Sequence, residues 1–299
     1  MDKSGPVQDS SLTKIIRVRL FGGLGNQLFQ YFAGLTAADA NKLNLEVDFR
    51  WIDKDKFHNK SDVRDFKFIN DIKGSVNKSD NRYDFFLDRI KTKLSKKSKL
   101  IANYYHLSVP THPGYVDLTK VKSGYELRGY YQTFRYYEDL ATNFGLPHWN
   151  LNFESQEYKE LKQQLELRKF IAVHVRGGDY LKKQNIYHRL DTVYYSNSLQ
   201  NLQNSLGNLP VVVFTDDFNY CKKLLKDFKK IEIVEQKDLR ASEVMILMSL
   251  ANGIVISNST FSYWAAIINS GESIIAPSKW YKDKTVDTYM YPLKWKLID

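Results

Sequence analysis

From residue 155 to residue 276, apolar runs of strand length alternate with polar turns and amphipathic helical patterns, without an internal sequence repeat. The runs fall at 170–176, 210–214, 231–234, 253–257 and 273–276. Helical patterns occupy 155–167, 192–205, 220–227, 241–251 and 261–269. A strand buried on both faces reads as a near-continuous apolar stretch. Strands alternating with helices of this length argue for a parallel sheet with crossover helices. Asp191 stands where an N-cap belongs, and Gly271 where a helix closes. This pattern sets the fold class as α/β.

The first half is less regular. Residues 1–13 are polar, without the apolar core of a signal segment, and read as a disordered lead. Residues 15–21 alternate as a strand. Gly22-Gly23-Leu24-Gly25-Asn26-Gln27 follows, then a helical pattern over 28–38 and a second strand over 43–49. Residues 50–115 are charged, aromatic and poorly periodic, and suggest short helices and loops. Residues 124–132 read as a strand entering an aromatic loop, followed by a helical stretch at 134–140. Gly145-Leu146-Pro147-His148 interrupts the pattern and marks a candidate boundary, giving units of 14–150 and 151–299. A length of 299 residues suits one large domain or two of ordinary size.

Composition narrows the partners. Net charge is +10, which fits a phosphate-bearing ligand: nucleic acid, a nucleotide sugar or an anionic membrane surface. The basic run at 89–99 reads either as a solvated face or as a membrane-surface patch. No recognisable nucleic-acid module accompanies it. Cys221 is the lone cysteine, so no internal disulfide forms, and the six histidines lack zinc spacing. No apolar stretch reaches the length of a membrane span. A cytoplasmic location is expected, at most peripheral at the inner membrane.

The polar residues concentrate where the strands end. Open α/β sheets bind ligands beyond the carboxyl ends of their strands. Three such ends carry His174/Arg176/Asp179, Thr215/Asp216/Asp217 and Asn258/Ser259/Thr260. Arg176 can fork two donors onto a phosphate, and Gly177 and Gly178 allow close backbone approach. Asp179 suits orienting the arginine, capping the next segment or accepting from a sugar or base. Asn258-Ser259-Thr260 at a helix start offers backbone donors and hydroxyls to a phosphate, or simply caps the helix. Asp216-Asp217 can hold a metal, cap a helix or bind a base or ribose.

Strand, glycine turn and helix at 15–38 form either the layout of an anion-cradling unit or a tight turn without a ligand, with Gly23 and Gly25 in the turn and Asn26 and Gln27 as amide donors. The dinucleotide fingerprint is not met, because Leu28 stands at its third glycine place, and no Walker lysine follows. Trp264 and Trp280 are expected in the core rather than as stacking platforms.

Five segments together resemble a known family. Phe21-Gly22-Gly23-Leu24-Gly25-Asn26-Gln27-Leu28-Phe29-Gln30-Tyr31 is similar to the N-terminal motif of the α-1,2-fucosyltransferases. Gly129-Tyr130-Tyr131-Gln132 resembles their Gly-Tyr-aromatic-Gln segment. His174-Val175-Arg176-Gly177-Gly178-Asp179-Tyr180 resembles the His-x-Arg-Arg-x-Asp motif shared with α-1,6- and protein O-fucosyltransferases. Phe214-Thr215-Asp216-Asp217 and 257–264 resemble the two later motifs. The matches run in order from about residue 15 to residue 281.

The resemblance implies a GT-B-like fold of two Rossmann-like domains facing a cleft, with the acceptor side in 14–150 and the donor side in 151–299. It implies inverting transfer of L-fucose from GDP-β-L-fucose to a galactose 2-hydroxyl, with no metal or other cofactor. The acceptor would be a galactose-containing surface glycan, such as a free or lipid-linked O-antigen unit. Nucleic acid is not an expected partner, and the basic run at 91–99 is the expected point of membrane contact. His174, Arg176 and Asp179 would lie at the catalytic centre, with Arg176 on the diphosphate. Gly23, Gly25, Asn26, Asp216, Asn258, Ser259 and Thr260 would hold the donor.

One departure stands out: Gly177 replaces the usual second arginine. Either one arginine suffices, or Lys182, Lys183 or Arg189 supplies the charge, or the donor differs, as GDP-colitose would. Asp179, Glu126 and Asp191 are the candidate bases. A non-catalytic polyanion-binding protein is the alternative of another class.

Overall fold

The computed structural model describes residues 14–54, 61–71, 74–76, 82–110, 113–144, 147–177, 187–235, 239–269, 271, 273–282 and 289–299. The first half contributes β1 (Ile15–Arg19), β2 (Asn44–Asp48), β3 (Gly74–Val76), β4 (Leu107–Ser108) and β5 (Glu126–Leu127). They form one sheet in the order β3-β2-β1-β5-β4. The second half contributes β6 (Ile171–Val175), β7 (Val211–Thr215), β8 (Ile231–Glu235), β9 (Gly253–Val255), β10 (Ile274–Pro277) and β11 (Lys296–Ile298). Their order is β11-β10-β9-β6-β7-β8. Strand pairs in both sheets are parallel. All five residues of β6 and of β7 are buried, as their apolar runs require.

Helices connect the strands: α1 (Leu24–Ala40), α2 (Arg50–Asp53), α3 (Arg82–Lys97), α4 (Lys99–Tyr104) and α5 (Arg135–Phe144) in the first half. The second half holds α6 (Gln156–Glu166), α7 (Thr192–Leu206), α8 (Phe218–Leu224), α9 (Ala241–Ser249) and α10 (Thr260–Asn269). Asp191 caps α7 by accepting from the Val193 and Tyr194 amides. Several elements differ from the sequence pattern, among them the short strands β3, β4 and β11, which it did not show. Helix α1 starts at Leu24 rather than Leu28, because the Asn26 and Gln27 amides already bond back to the Gly23 carbonyl. The expected strand at 124–132 pairs only over Glu126–Leu127. Within the poorly periodic 50–115, α3 is a helix of 16 residues. The lead at 1–13 lies outside the described residues.

The two sheets share one core. Phe32 stacks on Trp264 of α10 at 5.0 Å, and Tyr137 and Trp149 close around the same indole. Trp264 and Trp280 are both buried, as expected. A polar clamp adds to this contact. Asp65 Oδ2 accepts from the Ser61 and Ser242 hydroxyls at 2.7 Å each, and Asp65 also pairs with Arg240. Glu243 of α9 accepts from the Ser155 amide at 2.6 Å. Buried carboxylates are tolerated when this fully partnered. Among the described residues no helix is long and apolar enough to cross a membrane.

Candidate functional site

In an open parallel sheet the binding crevice lies where strand order reverses, beyond the carboxyl ends. In the second sheet β7 and β8 lie on one side of β6, and β9, β10 and β11 on the other. The reversal therefore falls between β6 and β9. In the first sheet it falls between β1 and β5 by the same reading. The four segments leaving these strands begin at Arg176, Ile256, Leu20 and Arg128. They carry most of the residues singled out by the motifs.

At the β6 end, register places His174 beside Phe214 and Val175 beside Thr215. Arg176 and Asp216 thus leave adjacent strands together. The Arg176 guanidinium meets Asp216 Oδ2 at 2.8 Å, and the Gly177 amide donates to Asp216 Oδ1 at 2.8 Å. Asp216 therefore fixes both the side chain and the backbone of this turn. Asp217 caps α8, accepting from the Tyr220 amide at 3.0 Å. The paired acids thus have protein partners, and among the described residues no cluster of three or more metal-ligating groups occurs.

The geometry also explains Gly177. A Cβ there would lie 2.6 Å from the Asp217 Cβ, so the turn excludes the larger side chain usual at this place. Of the substitute cations, Arg189 is exposed, while Lys182 and Lys183 lie outside the described residues. So does Asp179.

His174 is buried, and its Nδ1 sits 2.8 Å from the Ser257 hydroxyl at the end of β9. Tyr195 donates to its carbonyl at 3.2 Å. The imidazole therefore joins β6 to β9 beneath the reversal point. Above it, Asn258 donates its side-chain amide to the His188 carbonyl at 2.6 Å. Ser259 and Thr260 lead into α10, both buried.

The first sheet brings its own turn to the same place. Gly22 adopts φ 77°, which favours glycine, and Gln27 donates to its carbonyl at 2.7 Å. Gln132, leaving β5, donates to Asn26 Oδ1 at 2.8 Å and accepts from the Tyr281 hydroxyl. A Cβ on Gly25 would lie 2.4 Å from the Thr260 carbonyl carbon and oxygen. The first turns of α1 and α10 therefore touch. Two helix N-termini, each carrying partial positive charge, meet there, with α10 following β9, the neighbour of β6, and suit a polyphosphate.

The candidate bases divide. Both Glu126 oxygens bond the Arg128 guanidinium, at 2.9 and 3.0 Å, and Arg19 adds a contact at 2.7 Å. Asp191 is the α7 cap. Both carboxylates have structural partners. Gln132 and Ser257 lay inside recognisable motifs, and their partners appear only in the folded chain. Tyr281 carries no sequence signal of its own.

The chain matches the model of Glycosyl transferase family 11 over residues 9–299. It belongs to that family. This family 11 chain is 28% identical to an α-1,2-colitosyltransferase of Escherichia coli, covering 95% of this chain and 99% of the relative. It is 25% identical to the O-antigen biosynthesis glycosyltransferase WbnK of Escherichia coli, covering 88% and 93%. Its fold is similar to a family 9 glycosyl transferase of Veillonella parvula, with TM-score 0.51, 12% identity and coverage of 96% and 87%. It is likewise similar to a mutant of Arabidopsis thaliana FUT1 in complex with GDP, with TM-score 0.51, 15% identity and coverage of 91% and 70%. The architecture is thus the GT-B-like one that the motifs implied. Membership as a glycosyltransferase also displaces the reading as a non-catalytic polyanion binder.

In this family 11 enzyme His174 is not a titrating group near neutrality. Burial, reinforced by the Arg176 cation, pushes its imidazole down to about 3, so it stays neutral. Between about pH 6.5 and pH 4 the unfolded chain binds a proton there that the native state does not. Stability is then expected to fall on acidification by at most about 1.4 kcal/mol per pH unit, with no such loss above pH ~7. Urea titrations at about pH 7 and pH 5 measure this against His174→Gln, which should show the flatter dependence. An imidazole titrating near its ordinary value in NMR spectra of the folded protein would overturn it.

Proposed function

We propose that this glycosyltransferase moves L-fucose from GDP-β-L-fucose to the 2-hydroxyl of a galactose in a surface glycan of the O-antigen kind. Transfer inverts the anomeric centre and uses no metal. The observation that carries the reading is Arg176, held by Asp216 at the carboxyl end of β6, together with the touching N-termini of α1 and α10, the latter following the neighbouring strand β9. Cleaving the glycosyl–phosphate bond develops negative charge on the departing GDP. Donors already aimed at that position stabilise it without reorganising.

Arg176 and the helix turns serve the diphosphate in this scheme. Asn26, oriented by Gln132, approaches from the first sheet, and Asn258, Ser259 and Thr260 from the second. Asp216 acts through Arg176 and is a positioning residue, as is His174 through Ser257. One arginine suffices here because two helix ends supplement it. Residues 14–150 form the acceptor side and 151–299 the donor side. A strongly dissociative transition state asks little of a base, and the leaving phosphate itself can take the acceptor proton. A glycan of this kind is built on a lipid, so the enzyme works at the inner membrane, with the basic segment at 91–99 toward it.

A second reading, GDP-colitose as donor, is favoured by the colitosyltransferase among the relatives. Colitose is L-fucose without its 3-hydroxyl. A pocket that hydrogen-bonds that hydroxyl rejects colitose strongly, whereas an apolar wall discriminates weakly.

Calorimetric titration with GDP, GDP-fucose and UDP, with and without EDTA, tests the donor class. GDP-selective binding indifferent to EDTA is expected. Absence of GDP binding overturns the proposal, and a transfer panel in which only GDP-colitose turns over replaces the first reading by the second.

A further inference from the structure

Helix α3 is built inside out. A helix lying on a sheet normally turns its apolar stripe inward. Here the inward positions are Asp88, Thr92 and Ser95. Asp88 pairs with Arg19 at 2.5 Å and with Arg128 at 2.9 Å, and Thr92 accepts from Arg128 at 2.7 Å. Burial opposes ionisation of Asp88, but the two guanidiniums hold its carboxyl below the usual range. The helix is therefore anchored to the carboxyl ends of β1 and β5 by charge and hydrogen bonds. Among the described residues its large apolar side chains point the other way. Phe86, Leu87, Ile90 and Leu94 are 64, 49, 40 and 42% exposed. Successive positions 86, 90 and 94 fall on one face, with Leu87 beside it. In α4, which follows directly, Leu100 and Tyr104 are likewise 82 and 79% exposed.

From residue 89 onward the charge along the stripe is of one sign. Residues 89–99 hold Arg89, Lys91, Lys93, Lys96, Lys97 and Lys99, and no acid. All but Lys91 are exposed. Asp88, which directly precedes this run, is turned inward and already paired. An isologous contact with a second copy would set this row against itself, cation facing cation. An anionic lipid leaflet meets both features. It takes apolar side chains below the headgroups and attracts lysines at their level, the balance that holds amphipathic helices in the interface plane.

We propose that the outward face of α3, with Leu100 and Tyr104 of α4, docks the protein onto an anionic lipid leaflet. The surface deepens the reading of a lipid-linked acceptor and gives the contact a definite place and an apolar component. The Asp88 pairs join α3 to the strand ends that carry the Gly22–Gly23 turn and the Gln132 segment. Docking through α3 therefore brings that edge of the first sheet close to the lipid surface.

Co-sedimentation of the full chain tests this, using vesicles of phosphatidylcholine alone and of phosphatidylcholine mixed with phosphatidylglycerol. Binding to the mixed vesicles is expected, and should weaken about tenfold as salt rises well above physiological strength. A Phe86→Asp/Ile90→Asp variant should partition about a hundredfold more weakly, since two inserting side chains are lost. Lys93→Glu/Lys96→Glu should lose the preference for phosphatidylglycerol. An unchanged cooperative thermal melt of these surface variants shows that they fold. The vesicles carry no glycan, so their result is independent of donor or acceptor identity. No binding to mixed vesicles, or binding untouched by the Phe86/Ile90 replacement, overturns the proposal. A dimer in light scattering that the same replacement dissociates would assign the face to a second copy instead.

Discussion

Arg176→Ala is expected to lower transfer by about 10³-fold, the upper range for removing one preorganised donor from developing negative charge. GDP affinity should fall about 10-fold to 100-fold, as for a lost charge-assisted hydrogen bond. The fold should survive. The Arg176 and Asp216 side chains are 25 and 23% exposed, and such a pair contributes no more than about 1 kcal/mol to stability. Asp216 keeps the Gly177 amide as partner when the guanidinium is gone. Product formation with the donor identified by calorimetry, alongside a thermal melt, makes the measurement. Wild-type turnover by a folded Arg176→Ala protein would remove Arg176 from the diphosphate.

Gly25→Ala should be nearly as damaging, for a steric reason. An added Cβ meets the Thr260 carbonyl at 2.4 Å and the Phe261 amide nitrogen at 2.7 Å. These are backbone atoms and cannot rotate aside. In an ordinary helix the exchange would gain about 1 kcal/mol in propensity. Here the overpacking costs about 3 kcal/mol, so the expected net loss is about 2 kcal/mol. The first turns of α1 and α10 must also part, carrying Asn26 away from Asn258, Ser259 and Thr260. GDP affinity is expected to fall at least about tenfold. Urea unfolding gives the stability and calorimetry the affinity. A variant equal to wild type in both would show that the two helix ends do not act as one unit.

Legibility in the sequence followed the range of the interactions involved. β6 and β7 were readable because a strand buried on both faces must be apolar along its length. The Asp191 cap was readable because a cap bonds two or three residues on. Helix α3 escaped because its inward face is polar. Asp88 and Thr92 make sense only against Arg19 and Arg128, from strands that are remote in sequence. The apparent strand at 124–132 shrank to Glu126–Leu127 because Gly124, at φ 84°, and Tyr131, at φ 53°, take the backbone out of the extended region on either side.

By itself, the sequence determined the α/β class and the set of motifs, and through them the family. These rest on local patterning and on the kinds of residue that follow each strand. Tertiary structure alone decided how the pieces act together. It set the strand order of each sheet, and it paired Asp216 with Arg176 and Gln132 with Asn26. It set Gly25 against Thr260, and it turned the Phe86–Leu94 stripe outward. Each of these depends on contacts between segments distant in the chain, which side-chain periodicity does not encode.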